Sequence, residues 1–162
     1  MNQLTEQYFS EKDANKRALL LKQITFNCEN ASKEFFLEAF KKERKLEKKV
    51  IVLRGYAFFA TESEVSVLVD KLMVQLKKIP ESTPYAYNLY EELRGAYLLP
   101  YLTEKYDYPC LKEFRDQVEK QYNDMPDVFK NIYSYDEFGN AFTIRDPGEV
   151  KKSMEEFFSK KS

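Results

Sequence analysis

Thr61-Glu62-Ser63-Glu64-Val65-Ser66-Val67-Leu68-Val69-Asp70-Lys71-Leu72-Met73-Val74-Gln75-Leu76-Lys77-Lys78-Ile79-Pro80 is the stretch whose reading decides the fold. Val65, Leu68, Val69, Leu72, Met73, Leu76 and Ile79 recur at the 3–4 spacing of one face of an α-helix. Thr61 and Glu64 make a capping box in front of that stripe. Pro80 ends it, because proline lacks the amide a continuing helix needs. A lone amphipathic helix is marginal in water, so its apolar face has to be covered by neighbours.

Upstream the same period continues. Asp13 or Asn15 is placed to cap a helix carrying Leu19, Leu20, Leu21 and Ile24, and Asn27–Ala31 reads as a polar connection. Ser32 caps a second helix with Phe35, Phe36, Ala39 and Phe40 on one face. Residues 46–60 read as a third helix rather than a strand, since Val50-Ile51-Val52-Leu53 runs on to Phe58-Phe59 with only Gly55 between. A helix apolar on all sides is a central, buried one.

Downstream, Thr83 is an N-cap with Pro84 at the first helical position. Tyr85, Leu89, Tyr90, Leu93, Tyr97 and Leu98 form the next stripe, which Pro100 kinks or ends. Asp107-Tyr108-Pro109 opens a helix with Leu111, Phe114, Val118 and Tyr122, and Asp124-Met125-Pro126 opens a short one through Val128, Phe129, Ile132 and Tyr133. Residues 134–145 alternate imperfectly around Gly139-Asn140 and read as an acidic turn in a loop or small hairpin. Asp146-Pro147 starts a terminal helix with Val150, Met154, Phe157 and Phe158. No tract resembles a linker, so one helical domain over residues 1–162 is expected.

Composition excludes several function classes. The 162 residues contain no His, which removes imidazole-activated nucleophiles, His-ligated zinc and His-gated pH switching. Gly55, Gly95, Gly139 and Gly148 are too scattered for a phosphate-cradling loop. Glu91-Glu92, Asp136-Glu137 and Glu155-Glu156 are adjacent, and adjacent residues on a helix do not face each other. No catalytic residue, metal or cofactor is therefore expected, and the chain reads as non-enzymatic. An enzyme working through Asp, Glu and Tyr alone would need a deep carboxylate-lined pocket. No apolar run approaches the ~20 residues of a membrane span, and no secretory signal is expected at the N-terminus. Cys28 and Cys110 form no paired motif and read as thiols of a reducing compartment, hence a cytoplasmic location.

Arg17-Ala18-Leu19, Leu53-Arg54-Gly55-Tyr56-Ala57 and Leu93-Arg94-Gly95-Ala96-Tyr97 recur at intervals near forty residues. Such a period, with two helices in each, is the mark of stacked helical pairs. Leu98-Leu99-Pro100-Tyr101-Leu102 and the cadence of residues 13–123 resemble HEAT repeats, although the Asp followed by Val-Arg between the helices of that family is not evident. The resemblance implies an all-α fold of stacked antiparallel pairs, as a HEAT-like α-solenoid or an irregular bundle. It also implies a scaffold for binding partners, with no catalytic residues.

Charge locates the partner. Net charge is −1, but residues 1–80 carry +4 and residues 81–162 carry −5. The acidic part holds ten of the 12 Tyr. Tyr87, Tyr101, Tyr106, Tyr108 and Tyr135 fall off the apolar stripes, with Glu104, Asp107, Asp124, Asp127, Asp136 and Glu137 beside the latter four. Tyr offers large contact area at low entropy cost. Acidic neighbours favour a basic protein over a nucleic acid. These eleven residues are the expected partner-binding set. The expected function is a bacterial immunity or inhibitor protein that neutralises a basic toxin such as a nuclease. The alternative is a nucleic-acid-binding HEAT-like repeat protein using Lys41–Lys49 with Arg17, Arg54 and Arg94.

Overall fold

The structure, a computed structural model, describes residues 3–28, 31–79 and 84–161, with backbone alone for 84–87 and 161. The expected cap at Thr83 lies outside the described residues. Among those described, the fold is all-α with packed helix pairs and one small hairpin. The chain gathers into two compact units, residues 1–77 and 78–162.

The first unit holds α1 (Gln3–Ser10), α2 (Ala14–Phe26), α3 (Lys33–Lys42), α4 (Leu46–Phe59) and α5 (Glu62–Lys77). Local signals set its boundaries. Asp13 accepts from the Asn15 and Lys16 amides at 2.9 and 3.0 Å. Ser32 accepts from the Phe35 amide at 3.1 Å, and the Thr61 hydroxyl accepts from the Glu64 amide at 3.3 Å while Glu64 takes the Thr61 amide at 3.0 Å. Helix α4, with apolar residues on every side, is central as expected: α2, α3 and α5 pack on it, burying Val50, Ile51, Val52 and Leu53.

Lys33 forms an ion pair with Glu64, tying the start of α3 to that of α5. That bond, with the Thr61 amide and hydroxyl, holds the Glu64 carboxyl at about 2, against an ordinary 4.5. A lowered folded pKa stabilises above the unfolded value, and the contribution vanishes as pH falls through the folded one. The Tm difference between wild type and Glu64→Gln, followed by circular dichroism, is therefore expected to be constant near neutrality and to close between pH 4.5 and about 2.

Helix α1 was not expected, because Leu4 and Tyr8 are too few to set a visible period. Tertiary contacts hold it. Tyr8 is fully buried, its ring edge-on to Phe35 at 5.5 Å, and its hydroxyl donates to Glu43 Oε1 at 2.7 Å. Arg17 Nε donates to the same oxygen at 3.1 Å, and burial with the Glu43 bond pushes the Tyr8 phenol well up.

The second unit holds α6 (Pro84–Leu93), α7 (Leu99–Lys105), α8 (Pro109–Asn123), a 3-10 turn (Asp127–Phe129), β1 (Tyr133–Tyr135), β2 (Ala141–Thr143) and α9 (Pro147–Lys161). Two helices end differently from expectation. The stripe through Tyr97 and Leu98 is not one helix: α6 stops at Leu93, and Pro100 lies in the first turn of α7. Residues 94–98 turn instead, and the Ala96 amide donates to the Tyr135 carbonyl at 3.1 Å. The helix expected after Pro126 shrinks to the 3-10 turn. Asn131 adopts φ 59°, which breaks any helix, and Tyr133 enters β1. The strands are antiparallel, with Tyr133 opposite Thr143, Ser134 opposite Phe142 and Tyr135 opposite Ala141.

Candidate protein-binding site

The α7–α8 corner gathers five of the expected residues. Leu99 and Leu102 are buried one helical turn apart and anchor α7, leaving Tyr101 and Glu104 off the core. Tyr106 and Tyr108 have extended backbones, with φ/ψ of −118°/119° and −104°/124°. The second is the conformation a residue before proline prefers, and Pro109 follows. In extended chain, alternate side chains share a face. The Tyr106 and Tyr108 rings accordingly lie 5.5 Å apart at 32°.

Lys105 lies 5.4 Å from the Tyr101 ring centre and 5.6 Å from that of Tyr106, and Nζ donates to the Tyr101 hydroxyl at 2.9 Å. Half-exposed Tyr101, Tyr106 and Tyr108 thus form one aromatic platform with a cation in it, and Glu104 is exposed beside it. Asp107 takes an ion pair from Lys112, which holds its carboxyl below the usual aspartate range.

The other expected residues lie elsewhere. Tyr87 is on α6, where its side chain is outside the described residues. Asp124 and Asp127 follow the far end of α8, whose 15 residues span about 22 Å. Both are exposed, and Lys130 bridges to Asp127 at 3.0 Å. Tyr135 and Asp136 are employed within the hairpin. The Tyr135 ring lies 6.2 Å from Tyr97. Asp136 accepts from the Phe138 and Asn140 amides at 2.9 and 2.8 Å, closing a loop in which Gly139 takes φ 82°. Burial pushes the Asp136 carboxyl up, but these amides outweigh it and leave it low. Glu137 is exposed at the loop.

Two features of this unit had no clear signal in sequence. The first is a buried polar knot. Glu91 accepts from the Asn131 amide at 2.9 Å and the Tyr122 hydroxyl at 3.1 Å, with Arg94 Nη1 at 3.8 Å. Arg94 Nε donates to Glu119 at 2.8 Å, and its guanidinium lies 3.7 Å from the Tyr122 ring centre. Tyr97 donates to Glu92 at 2.5 Å. The second is an apolar groove of about 780 Å³ between the hairpin and α9, lined in part by Tyr133, Thr143, Val150, Met154 and Phe158. The 4-residue spacing of Val150, Met154 and Phe158 was its one trace in sequence. Among the described residues no three acidic or thiol groups gather as a metal site would require.

No family model, curated protein or solved structure matches the chain.

Proposed function

We propose that this chain is a non-enzymatic protein-binding module of the immunity or inhibitor kind, which neutralises a basic protein such as a nuclease toxin in the bacterial cytoplasm. The observation carrying this reading is the α7–α8 corner: half-exposed Tyr106 and Tyr108 in the inter-helical turn and Tyr101 on α7, beside exposed Glu104 and Asp107. Clustered Tyr supplies anchors that order little on binding. Surrounding acids, including exposed Glu113 and Asp116, would speed encounter with a basic partner. No helix among the described residues is long and apolar enough to cross a membrane. Cys28 and Cys110 are half-buried and form no disulfide, which suits a reducing compartment.

The nucleic-acid alternative draws less support. Within the first unit Arg17 pairs with Glu43 and Arg54 lies over the Phe26 ring at 4.3 Å. Within the second Arg94 pairs with Glu119. These arginines have structural employment.

The test starts with the protein captured from the native host at low salt, then purified and titrated against the chain. A Tyr106→Ala/Tyr108→Ala variant is expected to weaken binding at least about tenfold, and Glu104→Lys/Asp107→Lys to slow association. Unchanged affinity and rate in both variants would sink the reading. So would a captured partner that is a nucleic acid.

A further inference from the structure

We propose that the open edge of β2, together with the groove beside it, takes up an extended segment of a partner protein as a third strand. Two independent sets of atoms converge there. The first is the backbone. The Ile144 amide donates to the Ile132 carbonyl at 2.8 Å, and the Asp136 amide donates to the Asn140 carbonyl at 3.0 Å. With Ser134 opposite Phe142, residues 140, 142 and 144 therefore turn their polar groups towards β1. Ala141 and Thr143, alternating with them, direct their N–H and C=O groups the other way. All three β2 residues are exposed. The outer edge of β1, by contrast, is engaged, since Tyr135 accepts from the Ala96 amide.

The second set is apolar. Tyr133 and Thr143 share one face of the hairpin, and that face forms a wall of the groove whose other side is Val150, Met154 and Phe158 of α9. Arg145 Nη1 donates to the Val128 and Lys130 carbonyls at 2.9 and 3.2 Å and fixes the chain leaving β2. On the opposite face Phe142 is 56 % exposed.

This combination selects the occupant. A helix or a lipid chain would fill the groove but leave Ala141 and Thr143 without backbone partners. An extended peptide laid along β2 completes that ladder and sends every second side chain into the groove. The intervening side chains then lie over Phe142. Natural edges exposed to solvent are blunted by shortness, charge, proline or a bulge; β2 is only three residues long, but Ala141-Phe142-Thr143 carries no charge and no proline. The segment taken up is apolar at alternate positions. This surface is separate from the α7–α8 corner and does not depend on the role proposed for it.

A random peptide library displayed on phage and panned on the full chain supplies the probe, and the best binder is measured by fluorescence anisotropy. Selected sequences are expected to alternate apolar and polar residues. Methylating the peptide's backbone nitrogens one at a time is expected to weaken binding about tenfold or more at every second position only. Binding is expected to slow exchange of the Ala141 and Thr143 amides. Met154→Asp should lower affinity by a similar factor with an unchanged circular dichroism spectrum. The methylation scan alters only the peptide, so it decides the matter even if that variant misfolds. The proposal is overturned if no binder is selected, or if binders show 3–4 spacing and tolerate every methylation. It also fails if protection appears at the α7–α8 corner instead. A doubled mass by light scattering that the peptide reverses would also overturn it, making a second copy of the chain the occupant.

Discussion

Glu91→Ala is expected to destabilise the unit formed by residues 78–162 by about 2–4 kcal/mol, in urea unfolding followed by tyrosine fluorescence. The side chain is 6 % exposed and serves a backbone amide, a phenol and a guanidinium at once. Truncation removes the acceptor of the Asn131 amide and leaves the buried Tyr122 hydroxyl only its longer bond to Asn131 Oδ1 at 3.4 Å, and each lost partner costs about 1–3 kcal/mol. Arg94 keeps Glu119, so its own loss is smaller. Asn131 sits two residues before β1 in a left-handed conformation that the Glu91 bond pins. The hairpin is therefore expected to loosen first, with faster exchange of the Asp136 and Ile144 amides, and peptide uptake at β2 should fall with it.

Glu91→Gln retains one acceptor oxygen and should cost about half as much. Its pH dependence runs opposite to that of Glu64. Burial pushes the Glu91 carboxyl above the glutamate range despite the Asn131 amide, the Tyr122 hydroxyl and Arg94. A raised folded pKa stabilises most below the unfolded value, and that gain is lost as pH rises through the folded one. The gap between wild type and Glu91→Gln should thus be wider at about pH 4 than at about pH 7.

What was legible in the sequence follows from how local each cause is. Asp13, Ser32, Thr61 with Glu64, Pro109 and Pro147 mark helix starts through atoms a few residues away, and the structure has helices there. Residues 94–98 misled because Leu93, Tyr97 and Leu98 keep the helical period while their turn is held by Tyr135, some forty positions on. The Pro126 segment misled for a related reason: Asn131 answers to Glu91 on α6, not to its own neighbours. The candidate site divides in the same way. Tyr106 and Tyr108, just before Pro109, bring their rings together through local extended geometry. Asp136, expected among the partner contacts, also caps its own loop. The groove left only the Val150, Met154 and Phe158 spacing as a trace, because it exists only where α9 meets the hairpin.

The recurring Arg-Gly pairs gain a physical reading from the same contacts, and with it a second strong expectation. Each glycine lies where an aromatic side chain of another element comes close. A Cβ built on Gly55 would stand 2.2 Å from Phe36 Cε1 and 2.3 Å from Cζ, and one on Gly95 would stand 2.5 Å from Tyr135 Cβ. Phe36 is fully buried, with Phe35 at 5.1 Å and Phe59 at 6.1 Å, so its ring has little room to yield. Gly55→Ala should therefore be destabilising although it lies within α4, where alanine would otherwise gain about 1 kcal/mol in helix propensity. Overpacking of about 3 kcal/mol outweighs that gain and leaves a net loss of about 2 kcal/mol. Shrinking the ring tests the cause. Phe36→Leu alone creates a void, but in Gly55→Ala/Phe36→Leu the new methyl fills part of it. The double variant is expected to be more stable than the two separate losses predict by about 1–2 kcal/mol in thermal unfolding. Strict additivity would mean that Gly55 is required for some reason other than the Phe36 ring.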